Sequence, residues 1–413
     1  MNNYNIAKKA CYLSGFSMAI TANISPLLFV TFKNMYGLSY TMIGFLVVIN
    51  YVTQLLIDLV FTFFTKHFNI HKTVKSTPLI IFLGLLLYSI MPRLFPETAV
   101  LWIVLGTVVF SISSGLCEVL LSPVVAAMPS DNPEADMSKL HSMYAWGTAI
   151  VVIVSTIFVK LFGGENWMYL VLLWSVLPFV AYLIFRKAEL PELDNFGKEE
   201  KKVKLLNKGI VLCTICIFLG GAAECTMAQW ASSFIEMAIG VPKVYGDVLG
   251  VAMFGLLLGI GRTVYSKYGK NIINVMLFGM IGAFLCYFVA GLSLNPVVGV
   301  IACGVTGICT AMLWPGTLIY VEEKFANVGV AVYALMAAGG DMGASAAPQL
   351  MGIISDKFSL TDMAVRIAQV FSVSPEQVGM RAGIIVAGLF PFLGILVILC
   401  MKKHFKKAET DIG

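Results

Sequence analysis

Four carboxylic acids of the sequence stand inside long apolar stretches: Asp58, Glu118, Glu224 and Asp341. An ionisable side chain within a membrane helix costs about 2.5–3.5 kcal/mol on insertion scales, so such a residue marks a functional site by default. Burial favours the neutral form of a carboxyl group, which lets it gain and lose a proton near neutral pH. If these stretches cross a bilayer, the acids are candidates for proton coupling or for binding a polar solute.

Glu118 is the strongest candidate for a proton-coupling group. It lies between apolar runs in Gly115-Leu-Cys-Glu-Val-Leu-Leu-Ser-Pro123. The alternative is a structural glutamate that stays protonated or hydrogen-bonded. Asp58 and Arg262 lie towards the ends of their apolar stretches, where gating contacts between helices are the favoured role.

Glu224 lies in a stretch of small residues, Gly220-Gly-Ala-Ala-Glu, that ends at Gln229 and Trp230. Small residues let another helix or a ligand come close. Gln229 offers hydrogen bonds and Trp230 a stacking surface. Six residues correspond to about 240° around an ideal helix. Glu224 and Trp230 therefore share one ligand only if the helix is broken, and otherwise serve different surfaces.

Asp341 is surrounded by glycines in Gly339-Gly-Asp-Met-Gly343. Glycine weakens a helix interior, so a helix break that opens a polar site is one expectation. A local kink capped by Asp341 is the other. The uncharged candidates for solute binding are Asn23, Asn50, Gln54, Tyr144, Trp146 and Trp314. For each aromatic residue the alternative is a place in the core or at the membrane interface.

The composition indicates that a bilayer surrounds these residues. Of 413 residues, 59% are hydrophobic and 12% charged, whereas soluble domains carry about 25% charged residues. About 20 apolar residues cross the hydrocarbon core as a helix, and only helices and closed barrels can do so. We predict twelve spans, at residues 10–32, 39–65, 77–92, 98–128, 140–161, 167–185, 208–238, 244–266, 271–292, 296–321, 327–354 and 378–401.

The distribution of basic residues predicts the orientation. With both termini in the cytoplasm, 21 of the 28 Lys and Arg residues fall on the inner side, as the positive-inside rule requires. The longest charged stretch lies between the sixth and seventh spans. We therefore predict an N-terminal six-helix bundle at 1–190, a cytoplasmic linker at 191–207 and a C-terminal bundle at 208–413, in a multi-pass protein of the plasma membrane.

Two local signals precede the last span. The pattern between Ser359 and Val373 predicts a short amphipathic helix on the outer surface. Ser374-Pro-Glu-Gln377 then predicts a helix start, with serine as the cap, proline in the first turn and glutamine reaching back.

An internal repeat relates the two predicted bundles. Residues 115–123 of the fourth span match 307–315 of the tenth in Gly, Cys, Leu and Pro. Two shorter pairs also join span n to span n+6, which is the pattern of parallel six-helix repeats in one class of transporters. The fold class is therefore an all-α membrane protein with twelve helices in two pseudo-symmetric bundles. Glu118 corresponds to Thr310 across the repeat, so the acid is specific to one half.

Motifs of enzymes and ATP-driven pumps are missing from the sequence. It contains no Walker loop, Gly-x-Ser-x-Gly or His-Glu-x-x-His motif, and we expect neither an enzyme nor a cofactor or metal. The nine cysteines lie in apolar stretches. Even Cys213 and Cys216, which form a C-x-x-C pair, are interpreted as small apolar fillers.

Several motifs together resemble the major facilitator superfamily and, within it, the fucose–galactose–glucose:proton symporter group. The matching segments are 115–123, Leu140-His-Ser-Met-Tyr-Ala-Trp-Gly147, Gly221-Ala-Ala-Glu224 with Trp230, Gly261-Arg262, and Ala347 to Asp356. In that group the fourth-helix glutamate takes part in proton coupling, which implies this role for Glu118. The sequence departs from the group in the first span, where Asn23 stands in a stretch that holds an aspartate.

The resemblance implies a secondary active transporter that moves a small polar solute, a sugar in this group, by proton-coupled symport through alternating access. The expected partners are the solute, protons and the lipid bilayer, without nucleic acid and with a monomer as the default. Two alternatives stay open. One is an efflux transporter of the same fold, and the other is a membrane sensor that binds without transport.

Overall fold

The computed structural model describes residues 4–64, 67–130, 133–191, 207–325 and 330–410. Every regular element in these ranges is a helix. The chain divides into two compact units, Met1–Tyr36 with Ile49–Lys198, and Gly37–Val48 with Glu199–Gly413. Residues 37–48 thus group with the second unit. The predicted linker, 191–207, lies almost wholly outside the described residues.

The described helices of the first half are seven. They are α1 (Tyr4–Leu27), α2 (Phe29–Tyr36), α3 (Tyr40–Phe64), α4 (Ile70–Leu94), α5 (Ala99–Ala127), α6 (Pro133–Phe162) and α7 (Trp167–Lys187). Each predicted span from the second to the sixth corresponds to one of these helices. The first span, predicted as one helix over 10–32, is instead divided between α1 and α2, which meet at 46°. Pro26 lacks a backbone N–H and lies directly before this bend.

The second half contains ten described helices. They are α8 (Lys208–Phe234), α9 (Lys243–Tyr245), α10 (Met253–Tyr268), α11 (Ile272–Leu292), α12 (Pro296–Thr310), α13 (Leu313–Lys324), α14 (Val330–Ser359), α15 (Asp362–Phe371), α16 (Pro375–Ala387) and α17 (Leu389–Thr410). A π-helical segment, Ile235–Ile239, directly follows α8. A second one, Gly246–Ala252, directly precedes α10. The predicted spans 296–321 and 378–401 were continuous, but the structure interrupts them at residues 311–312 and at Gly388.

Pairs of helices approach closely where glycine replaces a side chain. In the first unit, a Cβ on Gly84 would lie 2.6 Å from the backbone nitrogen of Phe110, and one on Gly106 would lie 2.7 Å from the Cα of Tyr88. The contact is reciprocal, because each of α4 and α5 supplies a glycine to the other. Small residues are the usual means of close helix contact in membranes, where lipid gives no hydrophobic drive between helices.

The short helix and the helix start that the sequence predicts before the last span are both present. An amphipathic helix, α15, covers Asp362–Phe371. Ser374 Oγ accepts from Gln377 N at 3.1 Å, and Gln377 Oε1 accepts from Ser374 N at 2.9 Å. This is the reciprocal capping box that starts α16.

The helices are suited to a bilayer. Among the described residues, nine helical segments are long and apolar enough to span a membrane, and ten if α1 and α2 form one bent span. The apolar part of α6, Trp146–Phe162, is shorter. With broken spans counted once, the helices match the predicted set of twelve, and the fold is that of an all-α membrane protein.

Candidate functional site

A polar face runs along α3 in the first unit. Asn50, Gln54 and Asp58 are spaced four residues apart, so they lie on one side of the helix. All three are buried. Ser111, Gly115 and Glu118 of α5 are spaced four and three residues apart and so also share one side of their helix. Contacts join the two sets, which together form the α3–α5 face.

At the Asn50 end of the α3–α5 face, the contacts between the two helices are hydrogen bonds. Ser111 Oγ donates to Asn50 Oδ1 at 2.6 Å, and Gln54 Nε2 donates to the same oxygen at 3.1 Å. A Cβ on Gly115 would lie 3.0 Å from the carbonyl oxygen of Gln54 and 3.2 Å from Asp58 Oδ1. Gly115 therefore lets α5 approach α3 next to the acid.

Asp58 and Glu118 form the contact at the other end of the α3–α5 face. Their carboxylate oxygens lie within 4.8 Å of one another. Asp58 is 4% exposed, whereas Glu118 is exposed. At that distance two ionised carboxylates repel by roughly 3 kcal/mol at an effective dielectric constant near 20. The pair therefore favours a bound proton or another small cation.

The other candidates of the first unit lie on α1 and α6. Asn23 is buried and donates from Nδ2 to Ala19 O at 2.8 Å and to Thr148 Oγ1 at 3.2 Å. Thr148 Oγ1 in turn donates to Tyr144 O at 3.2 Å. Asn23 is therefore used in joining α1 to α6. Trp146, by contrast, is 58% exposed.

Glu224 forms an ion pair in the second unit. Arg262 Nη2 lies 3.0 Å from Glu224 Oε1 and 3.3 Å from Oε2, and Arg262 Nε donates to Ala311 O at 3.1 Å. Ala311 caps the C-terminal end of α12, where a cation is favourable. Sequence reasoning placed Glu224 in solute binding and Arg262 in gating, and did not pair them.

Trp230 faces away from Glu224. α8 is unbroken from Lys208 to Phe234. Glu224 and Trp230 therefore lie on different surfaces of this helix, which is the second of the two alternatives that the sequence left open. Trp230 has no exposed surface, and its Nε1 donates to Pro348 O at 3.1 Å. The predicted stacking on a solute is not supported in this structure, because neighbouring side chains and backbone enclose the ring. Gln229 is also buried.

The glycines around Asp341 do not break the helix, so the expectation that a helix break opens a polar site there is wrong. α14 is continuous through Asp341, and the acid is buried. A Cβ on Gly339 would lie 2.9 Å from Thr214 Cγ2, while Gly340 lies against the ring of Trp314. These glycines serve helix packing, so close approach, rather than helix breaking, explains why they occur together. Trp314 is half-buried in this packing.

Two further acids accept hydrogen bonds that the sequence did not predict. Asp247 is buried in a π-helical segment and accepts a hydrogen bond from Ser232 Oγ. Asp356 accepts from Tyr40 N at 3.1 Å and from Thr41 N at 2.6 Å, so it caps the start of α3. No local motif announces either contact, since each depends on how separate segments pack.

A polar cluster lies before the apolar part of α6. Lys8 forms an ion pair with Asp136, and Tyr12 and Ser130 donate hydrogen bonds to the same carboxylate. The hydrogen bond from Lys8, followed by that from Ser130, holds the pKa of Asp136 below its usual value. The cluster therefore contributes stability above the ordinary pKa of an aspartate, and loses it as pH falls through the lowered pKa.

Comparison with known proteins identifies the family. The sequence profile of the Major Facilitator Superfamily matches residues 11–348, and the chain belongs to this superfamily of transporters, which are not enzymes. No curated protein sequence matches the chain significantly.

Solved structures show the same fold at low identity. A bacterial homologue of the human lysosomal transporter Spinster has a TM-score of 0.75 at 12% identity, with 98% of each chain covered. A D-xylose–proton symporter has a TM-score of 0.73 at 14% identity, covering 94% of this chain and 97% of that one. The fucose:proton symporter of E. coli has a TM-score of 0.57 at 12% identity, covering 95% and 99%. At these identities the similarity concerns the fold alone.

Proposed function

We propose that the protein moves a small polar solute of the sugar class across the plasma membrane in symport with protons, by alternating access. The observation that carries this proposal is the acid Glu118 on α5, next to a second carboxylate within helices that span the bilayer. A group of this kind can take up a proton on one side of the membrane and release it on the other. Glu118 is therefore the proposed proton carrier.

The family and two structural neighbours support this choice of reaction. The neighbours are described as symporters of D-xylose and of fucose with protons. Hydroxyl-rich solutes suit carboxylate and amide partners, which Glu224 and Gln229 offer in the second unit. In the first unit, an aromatic ring on α6, that of Tyr144 or that of Trp146, suits the C–H face of a sugar. A solute-binding role for Asp341, Asn50 and Gln54 belongs to the same proposal, with the protein acting as a monomer.

Transport in proteoliposomes tests the proposal. Wild-type protein should accumulate one or more members of a panel of sugars when a pH gradient is imposed, and should accumulate them less without it. Glu118→Gln cannot carry a proton, so we expect pH-driven uptake to fall at least tenfold while exchange of internal for external solute continues. Unchanged pH-driven uptake in this variant would remove Glu118 from the role.

The same assay separates the alternatives. Accumulation of amphipathic compounds outside the vesicles, in place of sugars inside, would indicate an efflux transporter. Ligand-dependent thermal stabilisation without flux would indicate a sensor, because a ligand stabilises the folded state by mass action whether or not it is carried.

A further inference from the structure

Asp58 is a buried acid without a compensating donor. Both of its carboxylate oxygens are inaccessible, and neither has a hydrogen-bond partner among the described residues. An ionised carboxylate in such a place is strongly unfavourable unless a cation or a proton neutralises it. The position therefore calls for a positive charge that the neighbouring side chains do not supply.

The titratable group of the first unit next to Asp58 is Glu118 of α5, with carboxylate oxygens of the two acids within 4.8 Å. Lys8 pairs with Asp136 and Arg262 with Glu224, and among the described residues no base forms an ion pair with either acid of the α3–α5 face. The amide of Gln54, one turn before Asp58 on α3, donates to Asn50 Oδ1 and not to Asp58.

We propose that Asp58 and Glu118 form one two-carboxylate site that holds a single exchangeable proton. Asp58 is then a coupling residue and not the gating residue that its place in the sequence predicts. This inference rests on the proposed symport and deepens it. While the proton is bound, one acid is neutral and the other ionised. When the proton leaves to water, both are ionised and repel each other.

Infrared titration of the purified protein tests the site without any solute. In wild type, the band of a protonated carboxyl group should disappear in a step at higher pH than in either single variant, because the second acid resists ionisation beside the first. Asp58→Asn and Glu118→Gln should each lose this step and keep one that lies at least one pH unit lower. Glu97→Gln, on an exposed turn, is the matched control and should keep the wild-type step.

The outcomes of the titration are distinct. A high-pH step that persists in Asp58→Asn places the proton on Glu118 alone and overturns the inference. A step that persists in both variants places the proton elsewhere and overturns it as well. Asp58→Glu keeps both acids and should keep the step, which guards against a trivial loss of structure in the asparagine variant.

Transport supplies the second readout. We expect Asp58→Asn to lose pH-driven uptake at least tenfold while solute exchange continues, as in Glu118→Gln. If a sodium gradient drives wild-type uptake in place of a pH gradient and Asp58→Asn abolishes that effect, the site holds sodium and the proton assignment is wrong. If no sugar is transported under any gradient, the proposed function fails while the infrared result on the two acids still stands or falls by itself.

Discussion

At the residue scale, two acids within the helices differ in the charged groups that lie next to them. Glu224 has a basic partner in Arg262, which also binds the carbonyl oxygen of Ala311. Asp58 has an acid next to it instead. Arg262 supplies a fixed charge to Glu224, whereas neither Asp58 nor Glu118 forms an ion pair with a described base. This contrast is the reason to propose ion coupling in the first unit.

Removal of Arg262 should expose the cost of an unpaired Glu224. The side chains are 35% and 15% exposed, so solvent screens the pair in part, and we expect Arg262→Met to destabilise by about 1–2 kcal/mol. Glu224→Gln in the same chain should recover most of the loss, because the amide leaves no charge behind. Thermal unfolding of the purified variants measures both effects, and an equal loss in single and double variants would contradict the pairing.

Gly115 should tolerate a methyl group poorly. A Cβ there meets the backbone of Gln54 at 3.0 Å and Asp58 Oδ1 at 3.2 Å, so Gly115→Ala must push α5 away from α3. We expect a destabilisation of about 1–2 kcal/mol together with reduced pH-driven uptake. Gly259→Ala is the control, because a Cβ at that position has nothing within 4 Å. Equal thermal stability of the two variants would show that the α3–α5 contact is not tight.

The acids themselves could be found from the sequence, but their partners could not. Asp58, Glu118, Glu224 and Asp341 stand out because each interrupts an apolar run. Which acid meets a base and which meets another acid depends on the rotation and depth of separate helices. Arg262 illustrates the difficulty, since its place near the end of an apolar run suggested gating while its actual partner lies on another helix.

At the element scale, apolar length predicted where helices occur but not where they are interrupted. The α1–α2 bend follows Pro26 and the last span breaks at Gly388, but the length of an apolar stretch does not show which proline or glycine interrupts a helix. The π-helical segments leave no pattern of their own. For the glycines near Asp341, the sequence predicted a helix break that the structure does not have. They weaken a helix in isolation, yet α14 stays continuous because each glycine is filled by contact with a neighbouring helix.

The start of α3 depends on a cap from another helix. Asp356 of α14 accepts hydrogen bonds from the backbone of Tyr40 and from the backbone and hydroxyl of Thr41. Loss of an N-cap costs about 0.5–2 kcal/mol, so Asp356→Ala should lower the thermal stability accordingly. Asp356→Asn retains an acceptor oxygen and should lose less. If alanine and asparagine at this position behave alike, the capping interaction contributes little.

At the scale of the whole molecule, the repeat and the charge distribution carry different information. The repeat relates a fourth-span segment to a tenth-span segment, which is consistent with two similar halves, and the fold of the superfamily bears this out. Within that symmetry only the first half places an acid at the repeated position, at Glu118. The proposed proton coupling therefore rests on this asymmetry of the acids and not on the symmetry of the helices.

The orientation in the membrane that the excess of Lys and Arg predicts is directly measurable. In a variant without native cysteines, a cysteine at Glu97 or at Leu360 should react with an impermeant thiol reagent in intact cells, whereas one at Lys270 should react only after the membrane is opened. All three positions are exposed in the structure, so reactivity reports the side of the membrane and not burial. The reverse pattern would place the basic segments outside, against the positive-inside rule.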